Sequence, residues 1–370
     1  MRNKIEINLA QLKSNLNVVK EHLPAKTEII AVIKANAYGH GDVAIASYLE
    51  KECDVRMLAV AGLYEALRLR RGGITKDILV LSYVDPADLK IAVDNKITLS
   101  VISPEHAVAM SETAERLGLT ADVHLALNTG MNRVGFDCKT FKQMMAIAGV
   151  YKLPGLHFTG IFSHFSSSDD QSKGAEPYTK LQLDRFNKIL SYLSERGINP
   201  GLRHIANSGA IGKYKETSFD AVRCGALMYG YNTALDARLH VKPIMRWEAA
   251  ISTVRTLEFG DAVSYSRKFV APDLMRIATL CVGYADGLPR SLSNKGHVII
   301  KGVKCPIVGN ICMDQMMVDV SAITEEIRMG ELATIIGPGQ SADDLAAEAG
   351  TCMHDILASL ASRVARIYTK

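Results

Sequence analysis

Thr27-Glu-Ile-Ile-Ala-Val-Ile-Lys34 reads as a buried parallel strand that ends on a lysine. Its apolar core, Ile29 to Ile33, is unbroken, as in strands covered on both faces. Comparable β-branched runs recur at residues 56–61, 77–82, 97–102, 121–127, 156–164, 202–206 and 219–224, making eight. Helical patterns lie between them at 43–52, 64–71, 104–117, 141–148 and 178–196. Pro86 and Pro104 stand where first helical turns begin. Alternating strands and helices imply parallel pairing through crossover helices. Eight such units in about 230 residues fit a (β/α)8 TIM-like barrel, with an open doubly wound sheet as the alternative.

Beyond residue 237 the texture changes. Strand patterns at 247–257, 275–282, 297–300, 305–308, 316–320 and 331–336 are punctuated by Gly260, Gly287, Gly302 and Gly337–Pro338. This spacing suits a mostly antiparallel β domain. Two helices, 341–349 and 353–362, and a strand at 364–368 close the sequence. The division expected is therefore 1–237 for an α/β barrel and 238–370 for a β-rich domain.

The composition is that of a globular protein with a real core: 48% apolar, 22% charged, net charge +4. No block of like charges suggests a nucleic-acid arm. No apolar run approaches the ~18 residues of a membrane span, and residues 1–9 lack the apolar stretch of a secretory signal. A cytoplasmic location is the expectation. The seven cysteines are irregularly spaced with no Cys-x-x-Cys, which argues for reduced thiols and against a metal site or a disulfide framework.

In a (β/α)8 barrel, chemistry sits at the C-terminal ends of the strands. Lys34 ends the first strand, Arg133 follows the fifth, His164 ends the sixth, Ser208 follows the seventh and Arg223 lies in the eighth. Singly, each reads as an ordinary surface or structural residue. Together on one face they suggest a carbonyl-trapping amine with an anion cradle. A lysine near other cations or away from water has a lowered pKa and a free nucleophile. Ser208 and the backbone near Gly225 and Ala226 suit a phosphate, the usual ligand of the late barrel loops.

The segment Ala31-Val-Ile-Lys-Ala-Asn-Ala-Tyr-Gly-His-Gly41 resembles the pyridoxal 5'-phosphate (PLP) lysine signature of the alanine racemase family. Further matches follow in order: Asn128-Thr-Gly-Met-Asn-Arg-Val-Gly135, Ser163-His-Phe165, His204-Ile-Ala-Asn-Ser208, Arg223-Cys-Gly-Ala-Leu-Met-Tyr-Gly230, Val263-Ser-Tyr265, Gly283-Tyr-Ala-Asp-Gly287, Gly309-Asn-Ile-Cys-Met-Asp-Gln315 and Ser362-Arg-Val364. The resemblance spans essentially the whole chain.

It implies racemisation of a small amino acid, L-alanine to D-alanine, by two opposed bases, Lys34 and Tyr265. The tyrosine would come from the partner of a homodimer. Tyr38, Ser208 and the Gly225 and Ala226 amides would bind the PLP phosphate. Arg223 would face the ring nitrogen, His164 would lie beside the cofactor, and Arg133 would meet its phenolic oxygen side. Met313, through its amide, and Arg133 would contact substrate; Tyr284, Asp314 and Ser362 would line the pocket or its mouth. A tyrosine titrates near 10 and a lysine slightly higher, so both need perturbed surroundings to act near neutrality. Arginine stays protonated, so at the ring nitrogen it implies a weaker electron sink and fewer side reactions.

Two positions depart from the family pattern. Ala126 replaces a lysine that many members carbamylate, and Asn128 replaces an acid. A chloride near Asn128 and Arg133 is the expected substitute anion. Ser362 replaces a tyrosine in several members, which leaves space for a hydroxymethyl group and suggests serine or mixed specificity. Competing readings are a PLP decarboxylase, which would place an acid where Arg223 stands, and a non-catalytic PLP carrier, which would lack the second domain.

Overall fold

The computed structural model describes residues 2–233 and 236–370. Contacts divide the chain into two compact units, Gln11–Ala37 with Asp42–Lys242, and Met1–Ala10 with Tyr38–Gly41 and Pro243–Lys370. Among the described residues, no helix is long and apolar enough to cross a membrane.

The strands, in chain order, are β1 (Asn3–Asn8), β2 (Glu28–Val32), β3 (Met57–Val60), β4 (Ile78–Val80), β5 (Ile97–Val101), β6 (Ala121–Asn128), β7 (Phe136–Asp137), β8 (Leu156–Phe162), β9 (Leu202–His204) and β10 (Ala221–Cys224). In the first unit they pair in the order β10-β2-β3-β4-β5-β6-β8-β9, each neighbour parallel to the next, and β7 pairs β6 alongside. The ends meet: Asp220 N–H donates to the Arg203 carbonyl at 3.1 Å, and Arg223 N–H to the Ala206 carbonyl at 3.0 Å. A bidentate Arg203–Asp220 pair, both bonds 2.7 Å, staples the same seam. This is the eight-stranded α/β barrel the alternation predicts. β3 and β4 are buried throughout, as strands walled by helices must be. Pro104 follows the Ser103 cap of the helix Pro104–Leu117, and Pro86 follows Asp85.

The second unit continues with β11 (Met245–Leu257), β12 (Ala262–Val263), β13 (Phe269–Val270), β14 (Met275–Leu280), β15 (His297–Ile300), β16 (Val303–Pro306), β17 (Met316–Asp319), β18 (Leu332–Ile336) and β19 (Ala365–Thr369). Its main sheet runs β16-β15-β18-β11-β1-β19 and is antiparallel except for β1 on β19. The division at 237 therefore needs a correction. β1 pairs with β11 from Asn3↔Ala249 to Ile7↔Met245, and with β19 from Lys4↔Ala365 to Asn8↔Thr369. Its inward face, Ile5 and Ile7, is fully buried. Residues 2–10 thus belong with the second unit, and so do 38–41, although they precede most of the barrel in sequence.

Candidate active site

All barrel residues singled out from sequence sit past or within the C-terminal ends of their strands. Lys34 follows β2, Arg133 follows β6, His164 follows β8, Ser208 follows β9 and Arg223 lies in β10. The chain leaves β2 through a left-handed turn: Ala35, Asn36, Ala37 and Tyr38 have φ of 52°, 55°, 53° and 52°. Each L-residue held there costs about 1–2 kcal/mol, so the turn persists only because its surroundings impose it. Ala37 N–H donates to the Ile33 carbonyl at 2.9 Å, and Asp42 N–H to Asn36 Oδ1 at 3.1 Å. Glu65 accepts the Ala35 N–H on Oε1 at 2.7 Å, and on Oε2 the N–H groups of Ala61 at 2.7 Å and Gly62 at 3.2 Å.

Arg223 is buried at the centre of the barrel residues. Its terminal nitrogens donate to the carbonyls of Ser163 at 2.7 Å, Ile205 at 3.0 Å and His204 at 3.1 Å. They also donate to Nδ1 of His204 at 2.8 Å and of His164 at 3.0 Å. Arginine cannot accept, so both histidines carry any neutral-state proton on Nε2. His204 Nε2 then donates to His124 Nδ1 at 2.9 Å, deeper in the barrel. The Arg223 Nε–H bonds to no described residue, which leaves one fixed donor for a ring acceptor.

Electrostatics follow from this packing. Burial, then Arg133, pushes the Lys34 ammonium below its ordinary value; Glu65 opposes the fall and Arg223 adds to it. Burial, with Arg223, Arg133 and Lys34, holds His164 well below the usual imidazole range, so it stays neutral and keeps accepting from Arg223. Burial and Arg133 also lower Arg223, to about 9, which still leaves it protonated near neutrality.

Ser208 Oγ accepts the Gly225 N–H at 3.0 Å, which brings the expected cradle together with the adjoining Ala226 turn. Arg133 stands on the loop after β6. That loop is braced by the helix Ala175–Ser194, where Tyr178 Oη donates to the Gly130 carbonyl at 2.7 Å and Arg185 to the Thr129 carbonyl at 2.8 Å. Buried Gln182, absent from the sequence reading, donates to the His164 carbonyl at 2.9 Å.

The expected chloride finds no donor on Asn128. That amide donates to Asn132 Oδ1 at 3.0 Å and to Asp137 Oδ1 at 2.8 Å, so both of its N–H bonds are engaged and the neighbouring carboxylate repels an anion. Its oxygen accepts backbone N–H groups from Gly130 and Asn132.

The second unit gathers its own set. Tyr265 lies in the turn between β12 and β13, with Ser264, Ser266 and Arg267 at φ of 65°, 61° and 50°. Val263 is buried in an apolar cluster with Met275, Ile277 and Val308, against which Phe269 packs. Asn310 Nδ2 donates to the Tyr265 carbonyl at 2.9 Å, tying this turn to the segment that carries Met313 and Asp314. Tyr284 N–H donates to the Cys312 carbonyl at 3.1 Å, and Ala285 N–H to that of Met313 at 3.0 Å. Arg363, next to Ser362, donates to Asp286 at 2.7 Å and Asp314 at 2.8 Å. Tyr38 belongs with this unit, its ring 5.7 Å from that of His354. Tyr265 is 70% exposed, Met313 53% and Tyr284 41%.

Two family models match the chain: alanine racemase, N-terminal domain, over residues 7–233, and alanine racemase, C-terminal domain, over 244–368. The alanine racemase of Clostridium novyi (strain NT) is 39% identical, covering 99% of this chain and 95% of its own. The solved alanine racemase of Clostridium difficile 630 superposes with a TM-score of 0.93 at 36% identity, covering 100% of this chain and 96% of its own. That of Bartonella henselae, solved with covalently bound pyridoxal phosphate, gives 0.89 at 28% identity over 100% of both chains. With both family models and full-length relatives in agreement, the chain belongs to the alanine racemase family.

Proposed function

We propose that this chain interconverts L- and D-alanine in the cytoplasm, as a homodimer that uses PLP. The observation that carries the reading is the convergence, at one end of the barrel, of a lysine with a lowered pKa, a serine–amide cradle and a buried arginine with an unused Nε–H. These residues fit the cofactor: an amine for its aldehyde, N–H and O–H donors for its phosphate, and a permanent cation for its ring nitrogen. When bound, PLP supplies the electron withdrawal that acidifies the substrate α-carbon.

The protein's residues do the rest. Lys34 Nζ holds or releases the α-proton on one face, and Tyr265 Oη does so on the other. Two opposed bases remove the need for one group to swing across the substrate. Arg133 and the Met313 amide hold the substrate carboxylate, and His164, fixed by Arg223, keeps a neutral ring beside the reacting groups. Tyr284, Asp314 and Ser362 line the approach. The exposure of Tyr265, Met313 and Tyr284 on one chain supports a second polypeptide covering them.

The test is racemisation of L-alanine by Lys34→Ala and Tyr265→Phe chains, alone and mixed. Each alone is expected to lose at least about 10³-fold in kcat. If the tyrosine crosses between subunits, random pairing of mixed chains restores about a quarter of wild-type activity, because half the dimers carry one intact site. Mixed chains that exchange subunits yet stay inactive would refute the shared site. Full activity in Lys34→Ala would refute the whole reading.

A further inference from the structure

Glu65 is the buried acid of the barrel that has no side-chain cation as partner. Among the described residues, buried Asp42 pairs with Arg68, Glu248 with Lys4 and Arg246, and Asp286 with Arg2 and Arg363. The Glu65 carboxylate, 3% exposed, instead takes three backbone N–H groups. Two of them, on Ala61 and Gly62, follow β3; the third, on Ala35, is the peptide immediately after Lys34. The side chain starts in the first turn of the helix Leu63–Arg71, reaches back over the N-cap Gly62, and bridges the ends of β2 and β3.

The Lys34 backbone leads directly into four consecutive left-handed residues, none of them glycine. Such a run does not hold itself, and the Glu65 Oε1 bond fixes its first peptide. The same carboxylate is close enough to Lys34 to oppose the lowering of its pKa, against Arg133 and Arg223, which add to it. Ala126 and Asn128 supply no negative charge there.

We propose that Glu65 is the positioning residue of the lysine turn: by clamping the Ala35 amide to the end of β3, it fixes the direction in which Lys34 leaves the barrel wall. The inference rests on Lys34 being the working amine proposed above. Glu65→Gln keeps the length but presents an amide N–H₂ to one of the two groups of N–H donors, and it removes the charge. Glu65→Asp keeps the charge but is one methylene short.

The test uses both variants as PLP-loaded full-length protein. For each, kcat and KM for L-alanine are measured, together with deuterium exchange of a peptide spanning 33–41. The expected result is a fall in kcat of about 10–100-fold with KM changed less than about threefold. Exchange at Ala35–Tyr38 rises at least about 10-fold, while the other barrel strands keep wild-type protection. A kcat within twofold of wild type in both variants, or unchanged exchange at Ala35, overturns the proposal. Exchange raised uniformly through the barrel overturns it too, because that is the signature of a merely structural residue. Lys34→Ala run in parallel separates the two readings. Wild-type activity there refutes Lys34 as the amine, whereas the exchange data report on the Glu65 clamp whatever Lys34 does.

Discussion

Replacing Gly283 by alanine should damage the site from behind without touching any group proposed to react. The backbone there is extended, with φ −152°, so alanine meets no conformational penalty. The obstacle is space. A Cβ on Gly283 would stand 2.3 Å from the Cys312 carbonyl oxygen, 2.4 Å from that of Met313 and 2.5 Å from the Met313 carbonyl carbon. Real Cβ contacts do not fall below 3.0 Å, so the 312–313 backbone must retreat by at least about 0.7 Å. Its neighbours are backbone atoms and cannot rotate away as a side chain would. The shift strains the Tyr284→Cys312 and Ala285→Met313 hydrogen bonds and displaces the Met313 amide. A misplacement near 1 Å costs about 10²-fold in rate, so kcat/KM for L-alanine should fall about 10–100-fold. Overpacking should cost about 1–3 kcal/mol, or roughly 2–4 °C in Tm for each kcal/mol. Gly149→Ala, where nothing lies within 4 Å of an added Cβ, is the control and should leave kcat/KM unchanged. A Gly283→Ala enzyme with kcat/KM within twofold of wild type and an unmoved Tm would show that the Met313 segment is not held as described.

Three more outcomes are expected. Arg203 holds the Asp220 carboxyl below its usual value, chiefly through their hydrogen bonds. That stability is therefore fully present above pH about 4 and is lost as pH falls through the folded-state value. Urea midpoints at pH 5 and pH 3 should converge in Arg203→Gln and separate more in wild type. Ser208→Ala should weaken PLP binding about 10-fold, the worth of one hydrogen bond, as read by absorbance titration; unchanged affinity would remove Ser208 from the cradle. Ser362→Tyr should raise the alanine-to-serine ratio of kcat/KM by about 10-fold or more, and an unchanged ratio would dismiss Ser362 as a specificity residue.

The barrel was legible because its strands are local: each is a short apolar run flanked by turn residues, and neighbours in sequence are neighbours in space. β1 was not legible as part of the second unit. Its alternation, Ile5 and Ile7 in, Lys4 and Glu6 out, announces a strand, but nothing in six residues says that the partners stand at 245–249 and 365–369. The barrel candidates were visible as polar residues at strand ends, whereas Tyr265 was visible only through the family resemblance of its Val263-Ser-Tyr265 segment. Glu65 was not, because a glutamate in Leu63–Arg71 reads as an ordinary helical surface residue, and its reach back to Gly62 is a property of coordinates. The left-handed turn was hidden for the opposite reason, since alanine is the best right-handed helix former and carries no mark of αL. At Asn128, sequence could show a lost charge but not that Asp137 engages the replacement amide.

The insertion of β1 between β11 and β19 also governs when and how the second unit can form. Its sheet needs β1 together with β11 and β19, so during synthesis β1 must wait, unpaired, until β11 emerges behind the whole barrel. Its slow step is then closure of a loop that contains the entire barrel. An isolated 238–370 fragment would present the facing edges of β11 and β19 with no strand between them, which makes it prone to capture strands from its neighbours. Excising this unit as a stand-alone domain calls for grafting residues 2–8 onto it.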